Sequence, residues 1–375
     1  MENVMKILLL GDYSNVHWTL AEGLRKLGHD VTVVSDGDRW KNYRRDIDLT
    51  RRSTAPADTL RYLARLVRLM PRLRGYDVVQ LINPVFLDLR GSRMLPFYRY
   101  LRRHNGGMFM GAFGMDHYWV KAGLDCRTFR YSDFNLGARQ RRGGENEEFI
   151  RAWLHGEKGE VNRRVAEDCD GIVSGLYEYD ASYRPYFPEK LRFIPFPIDR
   201  AAVTPLRPHP ETDRLRFFIG VQRSRSEYKG TDIMLRALER VAADYPERCE
   251  VVRAESVPFE RYQQMMDTSD ALLDQLYSYT PAMNALLAMA KGLVVVGGGE
   301  EENYEILGER ELRPIVNVLP EEGDVYARLA EMVHWPVERL RQMQADSREY
   351  IRRHHDHVEV ARRYVDFWTE RLRQK

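Results

Sequence analysis

The alternation of short apolar runs with amphipathic stretches constrains the fold of this chain most, and it begins within the first 35 residues. Lys6–Leu10 is apolar, and Val16–Leu27 has the apolar spacing of a helix. Gly28 stands where a helix commonly ends, and Asp30–Val34 predicts a second strand. Strand, turn, helix and strand in this order form a βαβ unit, which implies a parallel sheet.

The same alternation continues along the chain and restarts after a proline-rich stretch. The further predicted strands are Asp77–Ile82, Met108–Ala112, Gly171–Ser174, Leu191–Ile194, Leu215–Ile219, Glu250–Arg253, Ala271–Leu273 and Leu293–Val296. The predicted helices are 58–73, 92–104, 145–168, 231–243, 258–267, 281–291 and 336–373. Proline lacks the backbone donor that a central strand needs, so Pro195–Pro210 is read as a linker.

This pattern predicts an α/β protein with two Rossmann-like, doubly wound domains that face a cleft. We expect an N-terminal domain over 1–197, a C-terminal domain over 198–354, and a last helix, 355–375, that returns toward the first domain. Ligands of open parallel sheets bind beyond the carboxyl ends of the strands, so the residues just after strands are the candidates for function.

Composition excludes several classes of protein. The 375 residues carry 58 Lys and Arg against 56 Asp and Glu, a near-neutral balance that argues against general nucleic-acid binding. No apolar run reaches the roughly 20 residues of a membrane span. Three scattered cysteines form neither a metal-binding spacing nor a disulfide framework. We expect a cytoplasmic protein with no bound metal.

The most specific motif is the loop Gly220–Gly230, which follows the first strand of the second domain. Arg223 and Lys229 place cations at this strand end, where they would bind phosphate oxygens. Thr231 is predicted to cap the next helix, whose N-terminus would add a partial positive charge. The alternative is a solvated basic loop.

A second motif, Asp274–Asn284, also lies between a strand and a helix. Thr280 is a suitable N-cap and Pro281 suits the first helical position. The free amides of residues 282–284 would then face the cleft and bind phosphate or sugar hydroxyls. A well-capped core helix is the alternative, and the two interpretations are compatible.

The first domain offers two candidate turns. Gly11, after the first strand, would let the backbone approach a ligand closely. Asp116 and His117 follow the strand Met108–Ala112, where His117 would exchange a proton or donate to a substrate hydroxyl. A structural histidine is the alternative.

The stretch Arg39–Arg74 carries eleven basic residues against three aspartates. Four of them share one face of a predicted helix: Arg61, Arg65, Arg68 and Arg72. This face is a candidate contact with anionic lipid headgroups, which would place the protein peripherally at the inner face of the membrane. A solvated helix face is the alternative.

The order of these motifs resembles that of GT-B-fold glycosyltransferases, specifically the retaining, family-4-like group. Arg223 and Lys229, six positions apart and followed by glycine, match the group's Arg…Lys-Gly pair. Ile194–Asp199 looks like its linker motif, and Ala288–Val296 is similar to its Ala-Met-Ala-x-Gly helix and following strand. The similarity covers nearly the whole chain and is most convincing from 190 to 306.

The resemblance implies a function. A nucleoside diphosphate-sugar would be the donor substrate, and a fixed-cation site would need no metal or other cofactor. The donor site would comprise Arg223, Lys229, Gly11, Tyr279, Thr280 and Asn284, while His117 or Asp116 would orient the sugar or the acceptor. The implied reaction is transfer with retention to a glycan or lipid-linked acceptor, as in polysaccharide biosynthesis.

The sequence departs from the group at two positions. Members usually have two glutamates eight positions apart that contact the donor sugar and the ribose, and Tyr279 and Leu287 stand there in this chain. These departures keep two other functions open. One is a non-catalytic sugar-nucleotide-binding or scaffold protein, and the other is a GT-B-like sugar-nucleotide epimerase, which would carry extra carboxylates in the cleft.

Overall fold

The computed structural model describes residues 4–203, 214–222 and 226–375. The strands of the first half are β1 (Lys6–Leu10), β2 (Asp30–Ser35), β3 (Ile47–Asp48), β4 (Val78–Leu81), β5 (Gly107–Ala112), β6 (Tyr131–Ser132), β7 (Asn135–Leu136), β8 (Arg139–Gln140), β9 (Gly171–Ser174) and β10 (Leu191–Phe193). Seven of them form one sheet in the order β10-β9-β5-β4-β1-β2-β3, and β6, β7 and β8 form a small antiparallel sheet.

The second half forms its own sheet. Its strands are β11 (Leu215–Val221), β12 (Cys249–Glu255), β13 (Ala271–Leu273), β14 (Val294–Gly297) and β15 (Ile315–Asn317). They lie in the order β12-β11-β13-β14-β15, and every neighbouring pair is parallel.

Helices cover the two large sheets. They are α1 (Val16–Lys26), α2 (Pro56–Leu69), α3 (Gly91–His104), α4 (His117–Leu124), α5 (Gly144–Ile150), α6 (Glu157–Asp168), α7 (Tyr177–Tyr183), α8 (Ser226–Lys229), α9 (Thr231–Asp244), α10 (Phe259–Met266), α11 (Met283–Lys291), α12 (Glu301–Leu307), α13 (Glu322–Met332), α14 (Val337–His354) and α15 (His357–Arg373). In the part of the chain that the structure describes, no helix is long and apolar enough to cross a bilayer.

The apolar strands lie where the sequence predicts them. Ile7–Leu10 of β1 has no exposed surface, because helices cover both faces of a parallel sheet. Gly28 ends α1 with φ +89°, and the amide of His29 reaches back to the carbonyl of Leu24, 3.1 Å away. The predicted α/β class with two doubly wound sheets is therefore confirmed.

The predicted helix 58–73 ends early, as α2 at Leu69 with a 3-10 turn over Met70–Leu73 after it, and two other predicted helices are interrupted. The stretch 145–168 consists of α5, a π-helical turn over Arg151–His155, and α6. The C-terminal stretch 336–373 breaks at His355–Asp356, because the Asp356 carboxylate caps α15 and Ile198 pairs with Asp356 at the break. Periodicity alone did not reveal either interruption.

The last helix, α15, packs on the first sheet and on α1. Gly23 of α1 leaves so little room that an added Cβ would lie 2.9 Å from Ala361. The indole of Trp368 is fully buried and donates to Gln80 of β4 over 3.3 Å. The C-terminal helix thus returns to the first sheet, while the domain limits 1–197, 198–354 and 355–375 stay a prediction.

Candidate active site

A cavity of about 1120 Å³ lies between the two sheets. Much of its lining lies at or just after the carboxyl ends of strands: Gly11–Asn15 after β1, Asp36, Asp38, Arg39, Lys41 and Tyr43 after β2, Ile82 and Val85–Leu89 after β4, Gly220–Gln222 at the end of β11, Ser256, Val257 and Phe259 after β12, and Asp274–Gln275 after β13. Because loops from both sheets meet there, a ligand in this cavity would touch both halves of the chain. We call the two sides the N-terminal wall and the C-terminal wall.

Lys229 gives the C-terminal wall a cation. It ends α8 and lines the cavity, as the sequence predicts for a phosphate-binding lysine. The following Gly230 has φ +72°, and an added Cβ would lie 2.7 Å from the Cβ of Leu276, so this turn requires glycine. Gly230, rather than Thr231, is the N-cap of α9. Arg223, the other cation that the sequence predicts in this loop, lies outside the described residues.

Two polar side chains lie beside Lys229. Asp274 directly follows β13, and its carboxylate accepts from the Asn284 amide over 3.2 Å. Burial raises the pKa of Asp274, while Lys229 and Asn284 act in the opposite direction. Asn284 also accepts from the Tyr262 hydroxyl, 3.2 Å away, so its orientation is fixed on both sides.

The start of α11 faces the same cavity. The helix begins at Met283 with Ala282 as N-cap, two residues later than the sequence predicts. Ala282, Met283 and Asn284 line the cavity, so the first turn of the helix presents its unpaired amides there. The predicted ligand-facing helix N-terminus is therefore in the cleft, with a different cap.

The N-terminal wall carries a buried carboxylate that the sequence analysis missed. Asp12 follows Gly11, lines the cavity, and accepts from the amides of His17 and Trp18 over 3.0 and 3.3 Å. Burial raises its pKa to about 7, against these hydrogen bonds. The sequence contained a signal for this residue. Asp12 lies just after the first strand, and Lys229 also lies in the segment that follows a strand, where ligands of parallel sheets bind.

The side chain of His17 stabilises this turn. It is fully buried, its Nδ1 lies 2.6 Å from the Gly11 carbonyl, and burial lowers its pKa to about 3. The imidazole is thus neutral and fixes the β1–α1 turn. Gly11 itself has φ +81° and lines the cavity at its predicted place.

Asp116 and His117 lie away from the cavity lining. Asp116 has no exposed surface, caps α4 through the Trp119 amide, and accepts from the Tyr183 hydroxyl over 2.8 Å. The amide of His117 donates to Asn162, and its Nδ1 lies 2.9 Å from the Trp153 carbonyl. These contacts hold both side chains within the first half of the chain, and their predicted catalytic role stays a prediction.

Tyr279 and Thr280 also face away from the cavity. Tyr279 is 2% exposed, and its hydroxyl accepts from the Arg130 amide over 2.7 Å. The Thr280 hydroxyl donates to Glu178 of the first half. Leu287 does line the cavity, as an apolar surface where the resemblance expects a glutamate. The predicted donor contacts of Tyr279 and Thr280 stay predictions, and they would need a rearranged loop.

The predicted arginine face lies outside the cleft: Arg61, Arg65 and Arg68 are on α2, and Arg72 is in the 3-10 turn over Met70–Leu73 that follows it. Arg65, Arg68 and Arg72 line a second, smaller cavity of about 360 Å³ together with Asp46 and Asp48. The Arg65 guanidinium is 3.5 Å from the Asp48 carboxylate. In residues 4–203, 214–222 and 226–375, no group of three His, Cys, Asp or Glu side chains is placed to hold a metal ion.

Comparison with solved structures defines the class of fold. No protein-family model matches the sequence, and no curated protein does. Sucrose-phosphate synthase of Thermosynechococcus elongatus superposes with a TM-score of 0.62 at 13% identity, over 99% of this chain and 100% of that one. Anabaena HepE, crystallised with UDP and glucose, gives a TM-score of 0.59 at 11% identity over 98% and 100%.

A third similar structure belongs to another class of enzyme. The putative UDP-N-acetylglucosamine 2-epimerase of Listeria monocytogenes gives a TM-score of 0.56 at 11% identity, over 97% of this chain and 95% of that one. The fold of this chain is the GT-B fold of glycosyltransferases, with two parallel α/β sheets on either side of one cleft.

Proposed function

We propose that this protein is a glycosyltransferase that moves a sugar from a nucleoside diphosphate-sugar to a glycan or lipid-linked acceptor. The observation that carries the proposal is that Lys229 and the first turn of α11 line the same interdomain cavity. A fixed ammonium and free helix amides stabilise the negative charge that develops on a leaving diphosphate. The cavity is large enough for a nucleotide sugar.

In this reaction the bond between the anomeric carbon and the diphosphate oxygen breaks, and a bond to the acceptor oxygen forms. Lys229 neutralises the negative charge on the departing diphosphate. The resemblance to the family implies the same role for Arg223. With retention, the acceptor attacks from the side of the leaving group, and its proton passes to the departing phosphate oxygen. The reaction needs no metal, because the fixed cations supply the charge. Closure of the two walls on the bound substrates would exclude water.

A thermal-shift screen against nucleotides and nucleotide sugars tests the donor site. We expect a nucleoside diphosphate to raise the melting temperature by about 2–4 °C, through mass action on the folded state. Lys229→Ala should weaken its binding about tenfold or more, because a charge-assisted contact is lost. Lys190→Ala is the matched control, since Lys190 donates to the Glu167 and Cys169 carbonyls on the far side of the first sheet. Absence of any shift with every nucleotide would contradict the proposal.

A sugar-nucleotide epimerase is the second candidate. It is favoured by the carboxylates that the cavity contains, above all Asp12 and Asp274, which the sequence analysis had not placed. Incubation with UDP-N-acetylglucosamine in the absence of any acceptor separates the two functions. An epimerase converts the sugar nucleotide into its epimer with the diphosphate still attached, whereas a transferase changes the donor only when an acceptor is added or by slow hydrolysis.

The helix α2 supports a peripheral membrane location. Leu60 and Val67 on it are 69% and 65% exposed, and Arg61 and Arg68 lie exposed beside them. Apolar side chains flanked by arginines suit the interface of an anionic bilayer. We expect binding to vesicles that contain phosphatidylglycerol, and little binding to phosphatidylcholine vesicles.

The vesicle test has a matched control. Changing Arg61, Arg65, Arg68 and Arg72 to Gln should abolish binding, because each basic residue contributes about 1 kcal/mol near an anionic surface. Arg236→Gln with Arg240→Gln removes arginines from α9 of the other half and should leave binding intact. Binding that survives the change of all four arginines would contradict the proposed location.

A further inference from the structure

The two halves of the chain are joined beside the cleft by the segment 125–142, which we call the bridging segment. It leaves the first sheet after α4 and reaches the second half. Its Arg130 guanidinium pairs with Glu300 over 2.8 Å and with Glu302. Its Arg141 guanidinium lies 3.5 Å from the centre of the Tyr277 ring and donates to the Glu227 carbonyl over 2.8 Å.

The loop that leads into α11 is enclosed by this junction. Tyr279 stacks on Tyr177 of α7, with ring centres 5.7 Å apart, and lies 4.9 Å from the Tyr131 ring of the bridging segment. The Arg130 guanidinium covers its ring at 4.8 Å. The loop is thus held by side chains of the first half, although it belongs to the second sheet.

A single buried carboxylate makes the strongest of these contacts. Glu178 of α7 is 4% exposed and accepts from the Ser278 hydroxyl over 3.0 Å and from the amides of Tyr279 and Thr280 over 2.7 and 3.1 Å. Its second oxygen accepts from the Thr280 hydroxyl. Burial raises the pKa of Glu178, and these four donors compensate for the lost solvation.

The position of this contact relates it to the candidate active site. Thr280 is two residues from Ala282, the N-cap of α11, and Ala282, Met283 and Asn284 line the cavity. The Glu300 amide also bonds the Tyr279 carbonyl over 3.1 Å, which fixes the loop from the other side. Glu178 therefore holds the loop whose next residues face the ligand.

We propose that Glu178 is a positioning residue, through which the first half of the chain sets the placement of the α11 N-terminus in the cleft. The proposal rests on the proposed function, because it assigns the phosphate-facing amides of that same site. Removing the carboxylate frees the amides of Tyr279 and Thr280 and loosens the first turn of α11. A preorganised set of donors loses most of its binding advantage when its geometry is no longer fixed.

Three variants test the proposal by nucleoside diphosphate titration and amide hydrogen exchange. Glu178→Ala should weaken UDP binding about tenfold and speed exchange across residues 278–284. Glu178→Gln keeps an acceptor for the two amides and should restore binding to within about threefold of the wild type. Asp180→Ala is the matched control, because Asp180 is a buried carboxylate on the same helix that bonds Ser174 and Arg184 within the first half.

The outcomes separate the two proposals. Wild-type protein that binds no nucleoside diphosphate contradicts the proposed function, while faster exchange at 278–284 in Glu178→Ala alone still supports the positioning role. If Glu178→Ala keeps the exchange rates at 278–284 and the UDP affinity of the wild type, the positioning role is overturned. The role is also overturned if Asp180→Ala has effects equal to those of Glu178→Ala. If Glu178→Ala does not fold, Thr280→Val removes one of the four donors at constant shape and should raise exchange in the same residues.

Discussion

Two turns of the first sheet, Gly11–Asp12 after β1 and Gly114–Asp116 after β5, carry similar chemistry in different surroundings. Each places a carboxylate on the backbone amides that begin a helix, and burial raises the pKa of Asp12 and of Asp116 to about 7. Asp12 lines the cleft, whereas the other oxygen of Asp116 accepts from Tyr183 inside the first half. A buried carboxylate at a strand end can therefore reach a ligand only where the tertiary structure leaves a cavity beside it.

The surroundings explain the difference. The turn after β5 is covered by the π-helical turn and α6, since the Asn162 side chain accepts from the His117 amide and the Trp153 carbonyl lies against the His117 ring. The turn after β1 faces the second sheet across open space. Asp116 is a candidate by sequence because of the neighbouring His117, and in the structure His117 belongs to the contacts that cover the turn.

The largest expected effect is a difference in stability between the alanine variants of Gly11 and Gly114, the glycines of the two turns. In Gly11→Ala the new Cβ would lie 2.3 Å from the Ile82 Cγ2 at a backbone φ of +81°, so we expect a loss of about 2–4 kcal/mol of unfolding free energy. In Gly114→Ala the nearest atom is 3.4 Å away, in the Tyr13 ring, and stability should stay within about 1 kcal/mol. Urea unfolding of both variants measures the difference. Equal losses would show that the two turns are packed alike.

The next effect is the pH dependence of the two carboxylates. A folded pKa near 7, above the unfolded value near 4, means that the folded state favours the protonated acid, so stability falls as pH rises from about 4 to about 7. Each group contributes at most about 1.4 kcal/mol per pH unit in that window. Asp12→Asn and Asp116→Asn should each flatten the curve from urea unfolding at pH 5, 6 and 7.

Nucleotide binding then separates the two aspartates. Ionised Asp12 faces the same cavity as Lys229, so we expect UDP affinity to decline a few-fold as pH rises through about 7. Asp12→Asn should remove this decline, and Asp116→Asn should retain it. The reverse pattern in titrations at pH 6 and 8 would place the ligand beside Asp116.

The smallest expected effect concerns His117. In His117→Ala the bond to the Trp153 carbonyl is lost, which costs about 1 kcal/mol of stability. Affinity for a nucleoside diphosphate should remain within about twofold, because the side chain does not line the cavity. A large fall in turnover with unchanged stability would support the catalytic role that the resemblance implies for His117.

Much of the architecture could be predicted from local pattern. The buried run Ile7–Leu10, the helix that ends at Gly28 and the alternation of strand and helix define a parallel α/β fold, since these features depend on neighbours in the chain. Lys229 could be placed in the cleft for the same reason, because a residue at a strand end of such a sheet has a known position. The same argument predicts that Gly11 and Asn284 lie in the cleft, where the structure has them.

The tertiary structure decided which polar groups line the cavity. Thr280 suits an N-cap by sequence, yet its hydroxyl bonds Glu178, which is 102 positions away in the chain. Tyr279 packs against Tyr177 and the bridging segment, and the C-terminal helix breaks where Ile198 meets Asp356. The sequence by itself determined the two sheets and the strand ends that form the cleft, because periodicity and turn residues act locally. Contacts between distant segments decided which side chains line the cavity, because burial and hydrogen bonding depend on which surfaces finally meet.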